Sequence, residues 1–288
     1  MTRRAPAGRP EPYRGAVIAV GTRHGKAPQL ASAFDRHLGA GLLTPPDLDT
    51  DQFGTFSGER ARRGTALETA RAKARLGMRA AGLPYGLASE ASYGLLLPGS
   101  GLPGHEELLI FLDDVRGIEV VEGYRSAGTP GGAHHAAVVD DLPTHMIEGL
   151  PAQALIVRPA GGEPVDVIKG ITTPRRLRAA IHAAALRSPD GLALVEPDLR
   201  AHHNPSRREI LTRLGETLAR RLASHCPACD TPGFGRIDTE SGLPCFSCGS
   251  PTPLARRVIH GCPRCPHRSS HAVSATSAEP TWCPRCNP

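Results

Sequence analysis

Eight cysteines, arranged as four Cys-x-x-Cys pairs, constrain the fold of this 288-residue chain more than any other feature. All of them follow His225, and the pairs are Cys226/Cys229, Cys245/Cys248, Cys262/Cys265 and Cys283/Cys286. The tight turn within a pair aims both thiolates at one point, and two such pairs complete a tetrahedral zinc site. The sequence therefore predicts two closed four-cysteine sites that hold two structural Zn²⁺ ions.

The order in which the four pairs combine is open. We predict sequential pairing, in which the first two pairs form one zinc ribbon and the last two form another. Interleaved pairing, first with third, is the alternative, because residues 235–237 and 257–259 could pair as strands. In either arrangement the tail has too small a core to fold without metal.

Length and composition indicate about two domains in a water-soluble protein. Forty per cent of the residues are hydrophobic, which is enough to form a core. We expect an N-terminal disordered arm at 1–14, an α/β domain at 15–223 and a tandem, rubredoxin-like zinc-ribbon domain at 224–288. The first residues lack the apolar segment of a signal peptide, and no apolar run approaches the ~20 residues of a membrane helix. The sequence therefore predicts a cytoplasmic location and no membrane partner.

The α/β domain is organised around a predicted helix over residues 66–81. Thr65 and Glu68 have the spacing of a capping box at its N-terminus. A short apolar strand, Leu87–Ala88, is expected next, with Glu90 at its exit. Ligands of open α/β sheets bind beyond the carboxyl ends of strands, which makes Glu90 the first candidate for a site residue.

Two segments resemble the inosine-triphosphate pyrophosphatase superfamily, whose members remove non-standard purine nucleotides. One segment is Glu68–Ala74 followed by Ala88–Ser92, and the other is the loop Gly21–Lys26 after a predicted strand. The resemblance implies a mixed-sheet, inosine-triphosphatase-like fold. Thr69 stands where the superfamily has an asparagine, and one glutamate replaces its two aspartates.

The same resemblance implies roles for individual residues. Thr22 and Lys26 would hold phosphates, with His24 near the position of the superfamily's loop asparagine. Glu59 and Glu90 would hold Mg²⁺ in a catalytic site. Lys73 and Arg207 would offset the charge of the phosphates.

A second group of candidates precedes a helix predicted at 207–222, where Ser206 and Glu209 have capping-box spacing. A helix N-terminus surrounded by basic side chains favours anion binding. The candidate ligand contacts there are Asp198, Arg200, Asn204 and Arg207. Lys169, at the end of another predicted strand, is consistent with either a phosphate contact or a solvated strand end.

Lysine is rare in this chain. Among 34 basic residues, the only lysines are Lys26, Lys73 and Lys169. Either these positions are places where a compact ammonium functions and a planar guanidinium does not, or the pattern is chance on a small number.

The chain as a whole resembles an uncharacterised bacterial family, a domain of unknown function with an α/β part and a cysteine-rich tail. Three hypotheses about function follow. The α/β domain is a Mg²⁺-dependent nucleoside-triphosphate pyrophosphatase, a non-catalytic nucleotide- or nucleic-acid-binding domain, or a scaffold. In the second hypothesis the zinc ribbons dock RNA, DNA or a protein, and the net charge of +6 permits nucleic acid.

Overall fold

The computed structural model describes residues 11–55, 59–95, 102–127, 132–161 and 166–288. The chain forms two compact units, one from Tyr13 to Leu218 and one from Ala219 to Pro288 that also includes Glu11 and Pro12. Most of the arm predicted at 1–14 lies outside the described residues. The prediction is wrong for Tyr13, which is buried and donates a hydrogen bond from its hydroxyl to Asp113 at 3.0 Å.

A mixed five-stranded sheet forms the larger part of the first unit, which confirms the predicted mixed α/β class. Its strands are β1 (Val17–Val20), β2 (Gly41–Leu43), β3 (Tyr85–Leu95), β4 (Pro103–Asp113) and β5 (Ile118–Ala127), in the order β2-β1-β3-β4-β5. The first three strands of that order are parallel, and β3, β4 and β5 form an antiparallel meander. The helices α1 (Ala27–Leu38) and α2 (Ala66–Ala81) connect the parallel strands.

Helix α2 begins and ends where its sequence predicts. The capping box of Thr65 and Glu68 is present, and Gly82 ends the helix in the left-handed conformation with φ 63°. Ala70 and Ala74 are buried against the sheet. The approach is so close that a Cβ on Gly21, after β1, would lie 2.0 Å from the carbonyl oxygen of Lys73. Small residues thus bring the loop after β1 against the middle of α2.

Strand β3 is much longer than the two residues predicted, so the expectation that Glu90 ends a strand is wrong. Glu90 lies in the middle of β3 and pairs with Leu108 of β4. The parallel pairing with β1 nevertheless stops at Val20 and Leu87. Glu90 therefore lies just beyond the carboxyl end of β1, on a strand that β4 extends.

The first unit also contains a four-stranded antiparallel sheet in the order β6-β9-β7-β8. Its strands are β6 (His134–Ala136), β7 (Leu155–Pro159), β8 (Ile168–Ile171) and β9 (Ala193–Pro197). The helices α3 (Thr144–Glu148) and α4 (Pro174–Ala185) contribute to the core of this sheet. Lys169 lies within β8, and not after the strand as predicted.

The remaining elements are helix α5 (Pro205–Ala223) and a three-stranded antiparallel sheet of β10 (Gly235–Ser241), β11 (Ala255–Gly261) and β12 (Arg268–Ala272). Strand β11 lies in the middle of this sheet. Every helix in the described part of the chain is too short or too polar to cross a bilayer.

Candidate functional site

The eight cysteines form two four-sulfur clusters, but the prediction of sequential pairing is wrong. One cluster joins Cys226 and Cys229 to Cys262 and Cys265, and the other joins Cys245 and Cys248 to Cys283 and Cys286. The pairs are therefore interleaved, first with third and second with fourth. The hairpin of β10 and β11 is the cause, because its register pairs Gly235 with Gly261 and so brings the segments that carry the first and third pairs together.

Each cluster has the dimensions of a tetrahedral zinc site. All eight cysteines are free of disulfide bonds, and the sulfur atoms of a cluster lie within 4.8 Å of one another. The Sγ atoms of Cys229 and Cys262 are 3.6 Å apart, and those of Cys226 and Cys265 are 3.7 Å apart. A tetrahedron with Zn–S bonds of ~2.3 Å has edges of ~3.8 Å, so the residues fit zinc.

One thiol in each cluster is also prepared to ionise. A hydrogen bond with the Thr231 side chain lowers the pKa of Cys229 to about 6, and Ser250 has the same effect on the pKa of Cys248. Burial and hydrogen bonds with neighbouring thiols raise the pKa of Cys265 and of Cys286 in the same clusters, so the thiols of a cluster differ in how readily they ionise. The thiolate is the form that binds zinc.

A cavity of about 360 Å³ in the first unit contains most of the other predicted site residues. Seven of the eleven predicted residues line it, namely His24, Lys26, Lys73, Glu90, Lys169, Arg200 and Arg207. The lining also includes Asp51, Arg62 and Tyr93. Six cationic side chains thus face two carboxylates, and all three lysines of the chain are among the six.

Lys26 is a buried ammonium on the wall of the cavity. It is 9% exposed, and its Nζ donates hydrogen bonds to the carbonyl oxygen and to the Oγ of Ser89, at 3.0 and 2.9 Å. Burial, and next the charge of Arg207, lower the pKa of Lys26 to about 7.

Glu90 lies between two of the cations. Its Oε2 accepts a hydrogen bond from Lys73 Nζ at 2.6 Å, and its Oε1 lies 3.6 Å from Arg62 Nη1. Arg62 is held in place by hydrogen bonds to the carbonyl oxygen of Ala91 and the hydroxyl of Ser92. The carboxylate that the sequence singles out is thus already neutralised.

Arg207 is anchored by a fully buried carboxylate. Its Nε and Nη2 donate to the two oxygens of Glu107 at 2.8 and 2.9 Å, and its Nη1 donates to the carbonyl oxygen of Leu199 at 2.6 Å. Burial alone would raise the pKa of Glu107, but the charge of Arg207, the nearby imidazole of His105 and the hydrogen bonds from Arg207 lower it to about 2. Glu107 therefore remains ionised and fixes the guanidinium at the cavity.

The other four predicted site residues do not line this cavity. Asp198 is fully buried and accepts hydrogen bonds from the backbone of Gly170 and from the guanidinium of Arg200, so it positions Arg200. Glu59 forms an ion pair with Lys169, which occupies the carboxylate that was expected to hold Mg²⁺.

Thr22 is buried and lines a different cavity, and its hydroxyl accepts a hydrogen bond from the backbone N–H of His24 at 3.1 Å. Asn204 caps α5, because its Oδ1 accepts a hydrogen bond from the backbone N–H of Arg207 at 3.1 Å. The helix begins at Pro205, two residues before the predicted start, and this displaces the expected capping box of Ser206 and Glu209.

Four residues of the site, Asp51, Arg62, Tyr93 and Glu107, were not predicted as site residues from the sequence. Arg62 lies in a loop without a recognisable pattern. Glu107 had a detectable signal, because it is a carboxylate directly before the apolar run of β4. Tyr93 belongs to the part of β3 that was not predicted as strand, and its ring stacks on His105 with centroids 4.5 Å apart.

The fold and its sites define a mixed α/β protein with two four-cysteine clusters of a size that fits zinc, and a cavity lined by basic side chains. The model of one family, described as a domain of unknown function (DUF6671), matches residues 73–288. The chain belongs to this family. No curated protein matches the sequence.

Among solved structures, a PelC dodecamer from Paraburkholderia phytofirmans is similar over 43% of this chain and 80% of the PelC chain, at 15% sequence identity. The TM-score is 0.20, and a similarity at that level carries no argument about fold or function.

Proposed function

We propose that the first unit binds a nucleotide through its phosphate groups in the cationic cavity. The observation that carries the proposal is the presence of six basic side chains around one cavity. Four carboxylates, namely Glu59, Glu90, Glu107 and Asp198, pair with five of them, which leaves an excess of two positive charges. A phosphate group would balance this excess, because its oxygens accept several charge-assisted hydrogen bonds.

Mg²⁺-dependent hydrolysis is the second candidate activity at this site. Glu90, next to the carboxyl end of β1, is the observation in its favour. Among the described residues, however, the only groups of three or more Cys, His, Asp or Glu placed to hold a metal ion are the cysteine clusters. Mg²⁺ would therefore have to arrive with the nucleotide, held mainly by phosphate oxygens as in other phosphoryl-transfer sites.

A calorimetric titration tests nucleotide binding. We expect the zinc-loaded chain to bind at least one of a panel of nucleoside triphosphates that includes inosine and xanthosine triphosphate. Lys169→Gln should weaken this binding roughly 10-fold, because it removes one charge-assisted contact on the cavity wall while its partner Glu59 stays at the surface.

The matched control for this titration is Arg178→Gln, which removes the same charge from an exposed position on α4 outside the cavity lining. Equal affinities of the two variants would contradict binding in the cavity. Release of pyrophosphate or phosphate from the same mixtures, lost in Glu90→Gln, would support hydrolysis in addition to binding.

The second unit supports a separate docking function. Phe246 lies within the second cysteine pair and is 80% exposed, and Trp282 directly precedes the fourth pair and is 57% exposed. These pairs share one metal cluster, and Arg285 is exposed within the fourth pair. Exposed aromatic rings beside a guanidinium favour stacking with unpaired bases.

A gel-shift titration with single-stranded RNA and DNA tests this docking function. We expect a salt-sensitive shift that Phe246→Ala combined with Trp282→Ala weakens at least ~10-fold, because each stacked base contributes about 1–3 kcal/mol. Val115→Ala, at an exposed apolar residue of the first unit, is the control. Absence of a shift, or an equal shift in the double variant and the wild-type chain, would contradict docking of nucleic acid on these rings.

A further inference from the structure

All the lysines of this chain lie at one site. Three lysines stand among 34 basic residues, and all three line the cationic cavity, which has six basic side chains in total. If three of the 34 basic positions were chosen at random, all three would rarely belong to the six that line the cavity. Arginine binds phosphate at least as well as lysine does, through its bidentate fork. Simple phosphate binding therefore does not explain why lysine is retained here.

A property that lysine has and arginine lacks is access to the neutral, nucleophilic form near neutral pH. Two of the lysines are held as cations by carboxylates, since Lys73 pairs with Glu90 and Lys169 pairs with Glu59. Within the described parts of the chain, Lys26 is the one lysine without a carboxylate ion pair.

The geometry around Lys26 suits a neutral amine. Its hydrogen-bond acceptors are the carbonyl oxygen and the hydroxyl of Ser89. A neutral amine has two N–H groups, and if both point to Ser89 the lone pair is directed away from that residue. Burial and the charges of Arg207 and Lys73 favour loss of the third proton, and the carboxylates of Glu107 and Glu90 act in the opposite direction.

We propose that Lys26 is a nucleophile that attacks the α-phosphorus of a bound nucleoside triphosphate and forms a covalent lysyl–nucleotide adduct. This inference rests on the proposed nucleotide binding in the same cavity. The Nζ–P bond forms as the bond between the α-phosphorus and the bridging oxygen to the β-phosphate breaks. Pyrophosphate leaves with the electron pair of that bond, and the proton of the attacking amine passes to solvent water.

The other side chains of the cavity would support this step by charge. Lys73, Lys169 and Arg200 are cations that would stabilise the negative charge developing on pyrophosphate, because phosphoryl-group transfer depends mainly on positioning and charge neutralisation. Arg207 is held rigidly by Glu107 and would contact the phosphate that remains attached.

Incubation of the full, zinc-loaded chain with α-³²P-labelled nucleoside triphosphates and Mg²⁺ tests the proposal. We expect a labelled protein band that survives denaturation, with one pyrophosphate released per adduct. Trypsin should not cleave after the modified Lys26, so the adduct should map to the peptide of residues 24–36. Labelling should increase as the pH rises through about 7, because the amine must be neutral to react.

Two variants identify the nucleophile. Lys26→Arg should abolish the adduct, whereas Arg178→Lys, at an exposed position outside the cavity lining, should retain it. Two zinc ions per chain and an unchanged melting temperature would show that Lys26→Arg is folded. Peptide mapping of the wild-type chain identifies the modified residue even where the variant does not fold.

The possible results separate this inference from the proposed function. Nucleotide binding without an adduct, or hydrolysis in which ¹⁸O from water enters the nucleotide phosphate and no adduct forms, would overturn the covalent step and leave binding intact. An adduct that maps to Lys73 or Lys169 would also overturn it. Absence of nucleotide binding in the calorimetric titration would remove both proposals.

Discussion

A chain that carries both Cys229→Ser and Cys262→Ser is expected to bind one zinc ion, and a chain that carries both Cys229→Ser and Cys248→Ser is expected to bind none. The first two substitutions fall in the same cluster, and the second two fall in different clusters. Sequential pairing would give the opposite results, so the two variants form a matched pair. Each has two serines in place of two cysteines.

Loss of zinc should also destabilise the second unit more than any single substitution destabilises the first. Zinc binding to small structural sites corresponds to about 10–16 kcal/mol at neutral pH. The second unit has little else to hold it, because Ile237 in β10 is 43% exposed and large apolar side chains such as Phe246 face solvent. Metal content is measured by mass spectrometry, and the structure of β10–β12 by amide hydrogen exchange. Protection of these strands after chelation would contradict a metal-dependent fold.

Arg207→Met is expected to reduce the free energy of unfolding by about 3–5 kcal/mol, because it leaves the buried carboxylate of Glu107 without its cation. The decrease in the free energy of unfolding caused by Arg207→Met should be smaller at pH 4 than at pH 7. In the variant, burial is no longer opposed by Arg207 and raises the pKa of Glu107, so the folded chain gains a proton at acidic pH and is relieved of the buried charge.

Two further variants control for packing and for ordinary ion pairs. The double variant Arg207→Met with Glu107→Leu should recover much of the lost stability, since neither partner then leaves an isolated charge. Arg71→Met removes the cation of a more exposed pair with Glu119 and should cost no more than about 1 kcal/mol. Urea unfolding measures all three. If Arg71→Met and Arg207→Met reduced the free energy of unfolding by similar amounts, burial of Glu107 would not be the cause of the destabilisation.

Local signals in the sequence were enough to predict α2 to the residue. Its cap at Thr65 and Glu68 and its stop at Gly82 depend only on neighbouring residues. Strand β3 was underestimated because the small and polar residues around Glu90 have low strand propensity by themselves. Pairing with β4 stabilises this part of β3. Because β4 comes later in the chain, the residues of β3 alone do not reveal its length.

The candidate site was predictable where a motif carried it and not where distant segments meet. Lys26, Lys73 and Glu90 belong to motifs, and they line one cavity. The role of Glu107 depends on its contact with Arg207, which is 100 residues away. The partners of the cysteine pairs likewise depend on the register of β10 with β11, which spacing alone does not determine.

Interleaved pairing determines the order in which the two clusters can form, because the chain emerges from the ribosome N-terminus first. The four ligands of the centre that contains Cys265 leave the ribosome before Cys283 and Cys286 do. Closing that first ring around zinc draws β10 against β11, with Cys245 and Cys248 on the connection between these strands. Cys283 and Cys286 then meet Cys245 and Cys248, which are already held on the connection between the two strands. The four cysteines of the first cluster are bound to metal by then and cannot become incorrect partners of the last two.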